Sequence, residues 1–279
     1  MTANLIVLLT DFGNTDPYVG IMKGVISQIA PDQKIIDLGH EIPPGDIQQG
    51  AFQLWQAAGY FPSGTVFLGV IDPGVGTERK GLYFQRDGQV FIGPDNGLFT
   101  YLGYKGTTAA WELANTDFQL PEPSATFHGR DIFAPAAAYA ARGISGNQFG
   151  PSVLNPEQLP RPICKITADQ LEGEVISIDR FGNLITSLGQ FTLSKKKLEL
   201  DSWIEDKSLR MKTRPVLMLS KSGRSLPLVR TFAEIPDRSC AALIGSSGLL
   251  EIAANGTAAK SLLDTEVGDP IALSFESID

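Results

Sequence analysis

Residues 4–11 read Asn-Leu-Ile-Val-Leu-Leu-Thr-Asp, an apolar run that ends on a hydroxyl and a carboxylate. Continuous apolar character, without alternation, is typical of a strand buried on both faces of a parallel sheet. Helical periodicity follows between residues 19 and 29, where apolar residues recur at intervals of three and four. Thr15 or Asp16 is expected to cap this helix, with Pro17 in its first position. A strand followed by a helix in this way predicts an α/β layered domain.

The same alternation continues through the first half of the chain, which predicts a largely parallel sheet. The further predicted strands lie at 34–38, 65–71, 82–86 and 89–92, and the predicted helices at 47–59 and 131–142. Asp87 and Gly88 separate the last two strands, and Asp-Gly is a strong signal for a two-residue hairpin turn.

The second half of the chain has a different pattern. Four prolines fall in a short polar stretch between residues 151 and 162, which predicts a linker. The apolar segments beyond it are short and separated by Gly, Asp and Asn, which predicts a small β-rich domain, expected to be a barrel. These segments are 174–178, 184–188, 216–219, 241–244 and 270–275. We therefore predict an N-terminal α/β domain at 1–160 and a C-terminal β-barrel domain at 165–279.

The composition excludes several classes of protein. The chain has 279 residues, is 43% hydrophobic and carries a formal net charge of −8, so nucleic acid is not an expected partner. No apolar run reaches the roughly 18 residues of a transmembrane helix, and the N-terminus lacks a signal-peptide pattern, so no membrane partner is expected. Cys164 and Cys240 show no metal-ligand spacing and are predicted to be reduced thiols, which favours a cytoplasmic protein.

Three polar clusters follow predicted strands or precede a predicted helix. They are Thr-Asp-Phe-Gly at 10–13, Asp-Pro-Gly-Val-Gly-Thr-Glu-Arg at 72–79 and Thr-Phe-His-Gly-Arg-Asp at 126–131. In an α/β sheet the ligand site lies beyond the carboxyl ends of the strands. Together the clusters would supply carboxylates, guanidinium groups and an imidazole to one crevice, which indicates an α/β enzyme such as a hydrolase.

Taken singly, each cluster also has an ordinary structural explanation. Asp11 and Asp72 fit turn residues, Asp131 fits a helix cap, and His128 fits a hydrogen-bonded structural histidine. The phosphate-binding loop and the Gly-x-Gly-x-x-Gly motif of nucleotide-binding proteins are absent from the sequence. His40 and His128, the two histidines, are distant in sequence, so a histidine-rich metal site is not expected.

Further motifs extend the three clusters. They are Gly-Pro-Asp-Asn-Gly at 93–97, Ile-Asp-Arg-Phe-Gly-Asn-Leu at 178–184 and Ile-Gly-Ser-Ser-Gly-Leu-Leu-Glu-Ile-Ala at 244–253. In this order, over nearly the whole chain, the six motifs resemble the S-adenosyl-L-methionine hydroxide adenosyltransferases. That family is homologous to fluorinating and chlorinating enzymes that use the same substrate. The resemblance implies hydrolysis of S-adenosyl-L-methionine to adenosine and L-methionine, by attack of water or hydroxide on the ribose C5′, with neither a cofactor nor a metal.

The resemblance also implies an assembly and a catalytic set. The assembly is a homotrimer, with substrate held between the N-terminal domain of one subunit and the C-terminal domain of its neighbour. Asp72, Arg79 and His128 match the catalytic residues. Methionine leaves as a neutral thioether and needs no general acid, so the enzyme must position the water and give it hydroxide character. His128 and Arg79 would hold the water, and Asp72 would orient Arg79 or the water.

The substrate-binding residues are likewise implied by the resemblance. By substrate group they are Asp11 for the ribose hydroxyls; Asp16 and Asp179 for the methionine ammonium; Ser246 and the backbone of Ser247 for its carboxylate; Asn183 and the backbone of Gly256 for the adenine edge; Phe181 and Phe232 for the adenine faces; and Gly129 and Glu251 within the same motifs. The C-terminal members also have structural explanations: core aromatics for Phe181 and Phe232, and turn or loop residues for the others.

Three alternatives remain open from sequence. Halogenating relatives carry a tyrosine in place of His128, so His128 with Arg79 favours water, but halide-dependent cleavage stays the alternative enzyme reaction. A non-catalytic module that binds adenosine or S-adenosyl-L-methionine is a second alternative. A metal-dependent hydrolase that uses Asp11, Asp72 and Asp131 is the third.

Overall fold

A computed structural model describes residues 5–167, 169–194, 197–203, 207–212, 216–219 and 223–275. The chain divides into two compact units, Met1–Leu159 and Pro160–Asp279. In the first unit the strands are β1 (Leu5–Thr10), β2 (Lys34–Gly39), β3 (Val66–Val70), β4 (Gly81–Arg86), β5 (Gln89–Pro94) and β6 (Thr108–Glu112). Its α-helices are α1 (Tyr18–Ile29), α2 (Ile47–Ala58), α3 (Ala134–Ala141) and α4 (Gly146–Phe149). These elements confirm the predicted alternation of strands and helices.

The sheet of the first unit has the strand order β2-β1-β3-β5-β4-β6. The pairings among β2, β1, β3 and β5 are parallel, and β4 pairs antiparallel with both β5 and β6. The β4–β5 hairpin turns at Asp87 and Gly88, both at positive φ, as the Asp-Gly signal predicts. A largely parallel sheet is thereby confirmed.

Strand β1 lies between two helical layers. Ile6 and Leu8 pack with residues of α1 and α3, whereas Val7 and Leu9 pack with residues of α2 on the opposite face. All four side chains are fully buried. The continuous apolar run of β1 is therefore the consequence of burial on both faces.

Two helix starts differ from the prediction. Pro17 occupies the N-cap of α1 and its carbonyl accepts the Ile21 N–H (2.9 Å), with no side-chain cap, so the expected capping by Thr15 or Asp16 is wrong. The fixed φ of Pro17 (−76°) already presets the first turn. A π-helical turn, Gly129–Phe133, precedes α3, and Asp131 lies inside it, not at a cap. The Asp131 carboxylate instead accepts the backbone N–H of Ser124 (2.8 Å).

The described part of the second unit contains antiparallel strands, one short α-helix and one 3-10 turn. The strands and the α-helix are β7 (Cys164–Ile166), β8 (Gln170–Ile178), β9 (Leu184–Ser194), β10 (Lys197–Asp201), β11 (Ser208–Lys212), β12 (Val216–Leu219), β13 (Arg224–Leu226), β14 (Cys240–Ile244), β15 (Leu249–Ala254), β16 (Pro270–Ser274) and α5 (Ala259–Leu263). The hydrogen-bonded strand order of its sheet is β11-β10-β9-β8-β16-β12-β13. In addition, β15 pairs with β9, and β14 pairs with β15. The β-rich character is confirmed. Among the described residues β11 and β13 do not pair with each other, so closure into a barrel stays a prediction.

In the described part of the chain, no helix is both long and apolar enough to cross a membrane.

Candidate active site

The carboxyl ends of β1 and β3 bring two of the polar clusters to one edge of the sheet. The strands are parallel neighbours, with Thr10 paired to Val70, so the residues that follow each strand emerge together. Asp11 directly follows β1, and Asp72 follows β3 after one intervening residue. The clusters at 10–13 and 72–79 therefore share this edge.

The 72–79 loop turns Arg79 back onto Asp72. Its turns are closed by the Val75 N–H on the Asp72 carbonyl (3.2 Å) and by the Thr77 hydroxyl on the Gly74 carbonyl (2.7 Å). Arg79 Nε then donates to Asp72 Oδ1 (2.8 Å), and Nη2 donates to Oδ2. The side chains of Arg79 and Asp72 are only 10% and 6% exposed. A two-point ion pair this deeply buried fixes the plane of the guanidinium.

His128 completes the cluster through its Nδ1 atom, which lies 2.7 Å from Arg79 Nη2. A guanidinium only donates, so Nδ1 must accept, and we infer that the neutral ring carries its proton on Nε2. Burial, and next the Arg79 cation, hold the pKa of His128 below its ordinary value, outweighing the opposite effect of Asp72 and Asp131. His128 is therefore held neutral, with the Nε2–H as its remaining donor.

The loop that carries His128 is fixed by the π-helical turn behind it. Asp131 accepts the Ser124 N–H (2.8 Å) and is paired with Arg130, whose Nε lies 2.6 Å from Asp131 Oδ1. The Ser124 hydroxyl accepts the Phe127 N–H (3.1 Å), which closes the loop just before His128. These bonds hold the imidazole where Arg79 can reach it.

Phe133 is a part of the site that sequence reasoning missed. The Arg79 guanidinium carbon lies 5.1 Å from the centroid of the Phe133 ring, a cation–π contact inside the same buried cluster. Phe133 stands in the Phe-His-Gly-Arg-Asp-x-Phe motif, but nothing in the spacing indicates contact with an arginine so distant in sequence. Only the fold brings the two together.

Asp11 lies beside this cluster. Its Oδ2 accepts the Gly45 N–H (2.8 Å), and a Cβ added to Gly45 would lie 3.7 Å from Cβ of Pro73, the residue after Asp72. The other carboxylate oxygen of Asp11 has no intramolecular hydrogen bond among those found in the described residues. Asp16 is exposed, in the segment that leads to α1.

An open depression lies on the same side of the first unit. It is lined by the aromatic rings of Phe12, Tyr18 and Phe127, which meet edge to face at centroid distances of 5.3–6.0 Å. Its other lining residues are Ser124, Thr126 and Arg130. Gly129 is buried behind these rings, where an added Cβ would lie 3.3 Å from Met22 Sδ and from the Phe127 ring.

In the second unit Asp179 organises the turn that presents Phe181. Its Oδ1 accepts the N–H groups of Phe181 and Asn183 (both 2.9 Å), and its Oδ2 accepts the Asn183 side-chain amide (2.8 Å). The carboxylate is thus committed to three donors of its own turn. Phe181 stands out from that turn with 79% of its surface exposed, so the alternative that Phe181 is a core aromatic is wrong.

Phe232 and Gly256 lie on adjoining loops of the same unit. Phe232 begins a short 3-10 turn and is 54% exposed, which also contradicts a core position. The Asn255 side chain donates to the Ile235 carbonyl (2.8 Å), and Asp237 pairs with Asn255, so the loop after Phe232 is tied to the residue before Gly256. Phe181 and Phe232, the predicted contacts for the adenine faces, are therefore exposed loop residues. Asn183, predicted for the adenine edge, is buried instead, and its side-chain amide is bonded to Asp179.

The β14–β15 hairpin holds the remaining predicted residues. Ser246 is exposed, and the hydroxyl of Ser247 is buried without a hydrogen-bond partner in the described structure. The Glu251 carboxylate lies against Gly245, where an added Cβ would overlap Glu251 Oε1. Burial, and next the negative charge of Asp179, raise the pKa of Glu251 above its ordinary value.

The geometry disfavours the metal-dependent alternative. Asp72 is engaged by Arg79 and Asp131 by Arg130, so two of the three carboxylates that it needs already have cationic partners. Over the described ranges, no group of three or more His, Cys, Asp or Glu side chains is arranged to hold a metal ion.

Comparison with known proteins gives a consistent result. Residues 6–150 match the model of the SAM hydroxide adenosyltransferase N-terminal domain, and residues 173–272 match that of its C-terminal domain. A Thermus thermophilus protein named (R)-S-adenosyl-L-methionine hydrolase is 37% identical, over 96% of this chain and 98% of its own. A fluorinase from an Actinoplanes species is 29% identical, over 90% and 91%. The crystal structure of an uncharacterized conserved protein from Thermotoga maritima superposes with a TM-score of 0.82 at 32% identity, over 96% and 99%.

Proposed function

Because the chain belongs to the SAM hydroxide adenosyltransferase family, we propose that it hydrolyses S-adenosyl-L-methionine to adenosine and L-methionine. The observation that carries the proposal is the buried Asp72–Arg79 pair with His128 hydrogen-bonded to the same guanidinium. Four relatives at 36–37% identity are named (R)-S-adenosyl-L-methionine hydrolase, which supports the same reaction here.

The proposed reaction is an in-line displacement at C5′. The oxygen of water or hydroxide forms the new bond to C5′ while the C5′–S bond breaks. The electron pair of the broken bond stays on sulfur, which becomes a neutral thioether. One proton of the water is released to solvent. The Arg79 guanidinium supplies a fixed positive charge that favours hydroxide over water.

His128 positions the nucleophile in this proposal. With Nδ1 occupied by Arg79, the Nε2–H is the ring group left to donate a hydrogen bond to the attacking oxygen. A hydroxide accepts such a bond more strongly than water does, because it carries the negative charge. Asp72 acts through Arg79, whose plane it fixes, because both of its carboxylate oxygens already face the guanidinium.

Substrate binding is proposed to use the residues that the resemblance implied. The free oxygen of Asp11 accepts a ribose hydroxyl, and the exposed rings of Phe181 and Phe232 stack on adenine. Since the catalytic and adenine groups lie on different units, we propose a homotrimer whose sites combine the first unit of one chain with the second unit of the next. The reaction itself needs no redox or electrophilic cofactor, so none is proposed.

We propose a cytoplasmic location on the basis of the two cysteines. Neither Cys164 nor Cys240 forms a disulfide in the described structure, and cysteines in the thiol form suit the reducing cytoplasm.

The experiment that tests the function is hydrolysis in ¹⁸O-labelled water followed by mass analysis of both products. Label in the adenosine 5′-hydroxyl and none in methionine is expected, because the nucleophile attacks carbon. A halogenated nucleoside that forms only with added chloride would instead establish the halide reaction. Unchanged S-adenosyl-L-methionine after prolonged incubation would establish a binding module. Separated (R) and (S) sulfonium epimers should be compared, since the relatives' name specifies the (R) form.

A further inference from the structure

His40 belongs to neither the catalytic cluster nor the predicted substrate-binding set, yet it lies beside Asp11. Its side chain is 3% exposed. It follows the carboxyl end of β2, and β2 is the parallel neighbour of β1, which ends just before Asp11. The loops that leave β1 and β2 therefore emerge side by side, and His40 stands where they meet.

Four hydrogen bonds join these two loops around Asp11. His40 Nδ1 lies 2.8 Å from the Thr10 hydroxyl, and the His40 carbonyl accepts the Gly13 N–H (2.7 Å). The other two are Asn14 Nδ2 to Glu41 Oε1 (2.7 Å) and the Gly45 N–H to Asp11 Oδ2 (2.8 Å). Asp11 is thus bracketed by bonds on both sides of it in sequence.

The Thr10 hydroxyl links the imidazole to the backbone that carries Asp11. It accepts the N–H of Phe12, the residue after Asp11, at 3.3 Å, while it faces His40 Nδ1. Thr10 is fully buried, so neither group can exchange this contact for bulk water. A substitution of His40 is therefore expected to shift the backbone around Asp11, because the Thr10 side chain and the Phe12 N–H connect the two.

The far side of the imidazole faces the carboxylate of Asp37. His40 Nε2 lies 3.1 Å from Asp37 Oδ1, and Lys23 Nζ donates to Asp37 Oδ2 (2.6 Å). Asp37 is an ionised acceptor, since Lys23 and His40 lower its pKa more than burial raises it. His40 Nε2 makes no hydrogen bond in the described structure, so the bond from Nδ1 to the Thr10 hydroxyl orients the ring, and Asp37 only faces its far side.

We propose that His40 is a positioning residue for substrate binding, which holds the Asp11 carboxylate in the orientation that receives the ribose hydroxyls. The proposal rests on the proposed function, because the ribose contact of Asp11 belongs to it. His40 acts on the ground state and the transition state alike, so its loss should raise KM more than it lowers kcat.

The test compares two substitutions of His40. His40→Leu removes both ring nitrogens at similar volume, whereas the Asn side chain of His40→Asn places a polar atom near the Nδ1 position and can still bond Thr10. We expect His40→Leu to raise KM for S-adenosyl-L-methionine by roughly 10-fold, the size of one lost hydrogen bond to a binding group, and His40→Asn to restore most of it. In an Asp11→Ala background His40→Leu should raise KM no further.

A control variant separates positioning from general loss of stability. Gln89 is also buried in the first unit, where its amide donates to the carbonyls of Ala58 (2.9 Å) and Phe61 (2.8 Å). It begins β5 and so lies at the opposite edge of the sheet from Asp11. Gln89→Leu should lower the melting temperature without changing KM.

Hydrogen exchange tests the positioning independently of the reaction. The Gly13 and Gly45 N–H groups should exchange faster in His40→Leu and at the wild-type rate in Gln89→Leu. Wild-type KM and exchange in His40→Leu would overturn the proposal, and so would an undiminished KM effect in the Asp11→Ala background. If the wild-type protein neither binds nor cleaves S-adenosyl-L-methionine, the proposed function fails, while the exchange rates still decide whether His40 holds the loop.

Discussion

The Arg79–His128 contact makes the protonation state of one imidazole a condition for the geometry of the site. A neutral ring accepts from Arg79 at Nδ1, whereas an imidazolium has only donors to offer and would face a second cation at 2.7 Å. Protonation therefore breaks the contact. The lowered pKa of His128 keeps the contact intact over the physiological pH range.

The pH dependence of turnover should reflect this coupling. Because burial and Arg79 lower the pKa of His128, the neutral form persists below the ordinary value of about 6.5, and the acid limb of kcat should lie below that pH. The measurement is kcat against pH from about 4.5 to 9 for the wild type and for His128→Asn, which does not titrate in this range. An acid limb in the wild type above pH ~6.5, or one retained unchanged in His128→Asn, would contradict the assignment.

Substitution of His128 should affect chemistry more than binding. His128→Ala should lower kcat by roughly 10²–10³-fold, the usual effect of losing one hydrogen-bond donor to a charged reacting oxygen, and leave the Kd for S-adenosyl-L-methionine nearly unchanged, since the ring faces the nucleophile. Arg79→Lys retains the charge but loses the planar two-point contact with Asp72, so kcat should also fall. The double variant should be less than additive, because both groups serve one water. Calorimetric Kd and kcat per folded protein decide the matter, and near-normal turnover of His128→Ala would remove His128 from the mechanism.

At the scale of elements, the site depends on how closely two loops approach. Gly76 has φ +79°, and a Cβ added there would lie 2.5 Å from the carbonyl oxygen of Ala125. The 72–79 loop therefore rests directly on the backbone of the 124–128 loop that ends at His128. A side chain at position 76 would separate Arg79 from His128.

A matched pair of glycine substitutions tests this contact. Gly76→Ala should destabilise the protein by roughly 1–3 kcal/mol through backbone strain and the clash with Ala125, and should lower kcat as well. Gly24 lies in α1 with open space around it, so Gly24→Ala should raise stability by about 0.5–1 kcal/mol with kcat unchanged. Denaturant unfolding and turnover give both quantities. Equal effects of the two substitutions would mean that the loops tolerate separation.

The β14–β15 hairpin carries a second pH-dependent group. The raised pKa of Glu251 means that the folded state binds a proton more tightly than the unfolded state, whose pKa is about 4.3. Its contribution to stability is complete below pH ~4.3 and is lost as the pH rises through the higher folded pKa. Glu251→Gln should remove this loss and raise the melting temperature at pH 8 relative to the wild type. Melting curves from pH 4 to 8 test it, and a wild-type pH dependence that persists in Glu251→Gln would refute it.

The sequence predicted elements better than it predicted their junctions. The apolar runs of β1 and β3 are long and continuous, so the sequence predicted both strands and the carboxyl edge that they share. It did not predict the N-cap of α1 at Pro17, where Thr15 or Asp16 was expected, or the π-helical turn before α3, because each is decided by local hydrogen bonds. Within this turn Asp131 accepts a hydrogen bond from Ser124, a contact that has no periodic signature in the sequence.

For the whole molecule, the motifs identified the candidate residues but not their partners. The pairing of Asp72 with Arg79 within one loop is local, and the sequence indicated it as one of two possible roles. The contact of Arg79 with His128 and Phe133 joins distant segments, so it required the fold. The sequence likewise could not predict that Phe181 is exposed, because an aromatic residue in a turn motif can pack in a core or lie on a binding surface.

The proposed trimer makes a quantitative prediction about mixed assemblies. Two variants are needed, each inactive alone: His128→Ala in the first unit, and Phe181→Asp in the second, where the 79% exposed side chain can change without disturbing the core. If each site combines the first unit of one chain with the second unit of the next, a mixed ring contains one site in which both halves are intact. Random 1:1 mixing should then restore about a quarter of the wild-type sites.

Mixing by joint unfolding and refolding, followed by light scattering and turnover, measures this recovery. Each variant refolded alone controls for residual activity, and wild type refolded alone controls for losses in the procedure. A mass of three chains with about a quarter of the control activity is the expected result. Sites formed within single chains would give no recovery, because every chain in the mixture then carries one damaged half. A fully active wild-type monomer would refute the shared site directly, since one chain would then supply Asp72, Arg79 and His128 together with Phe181.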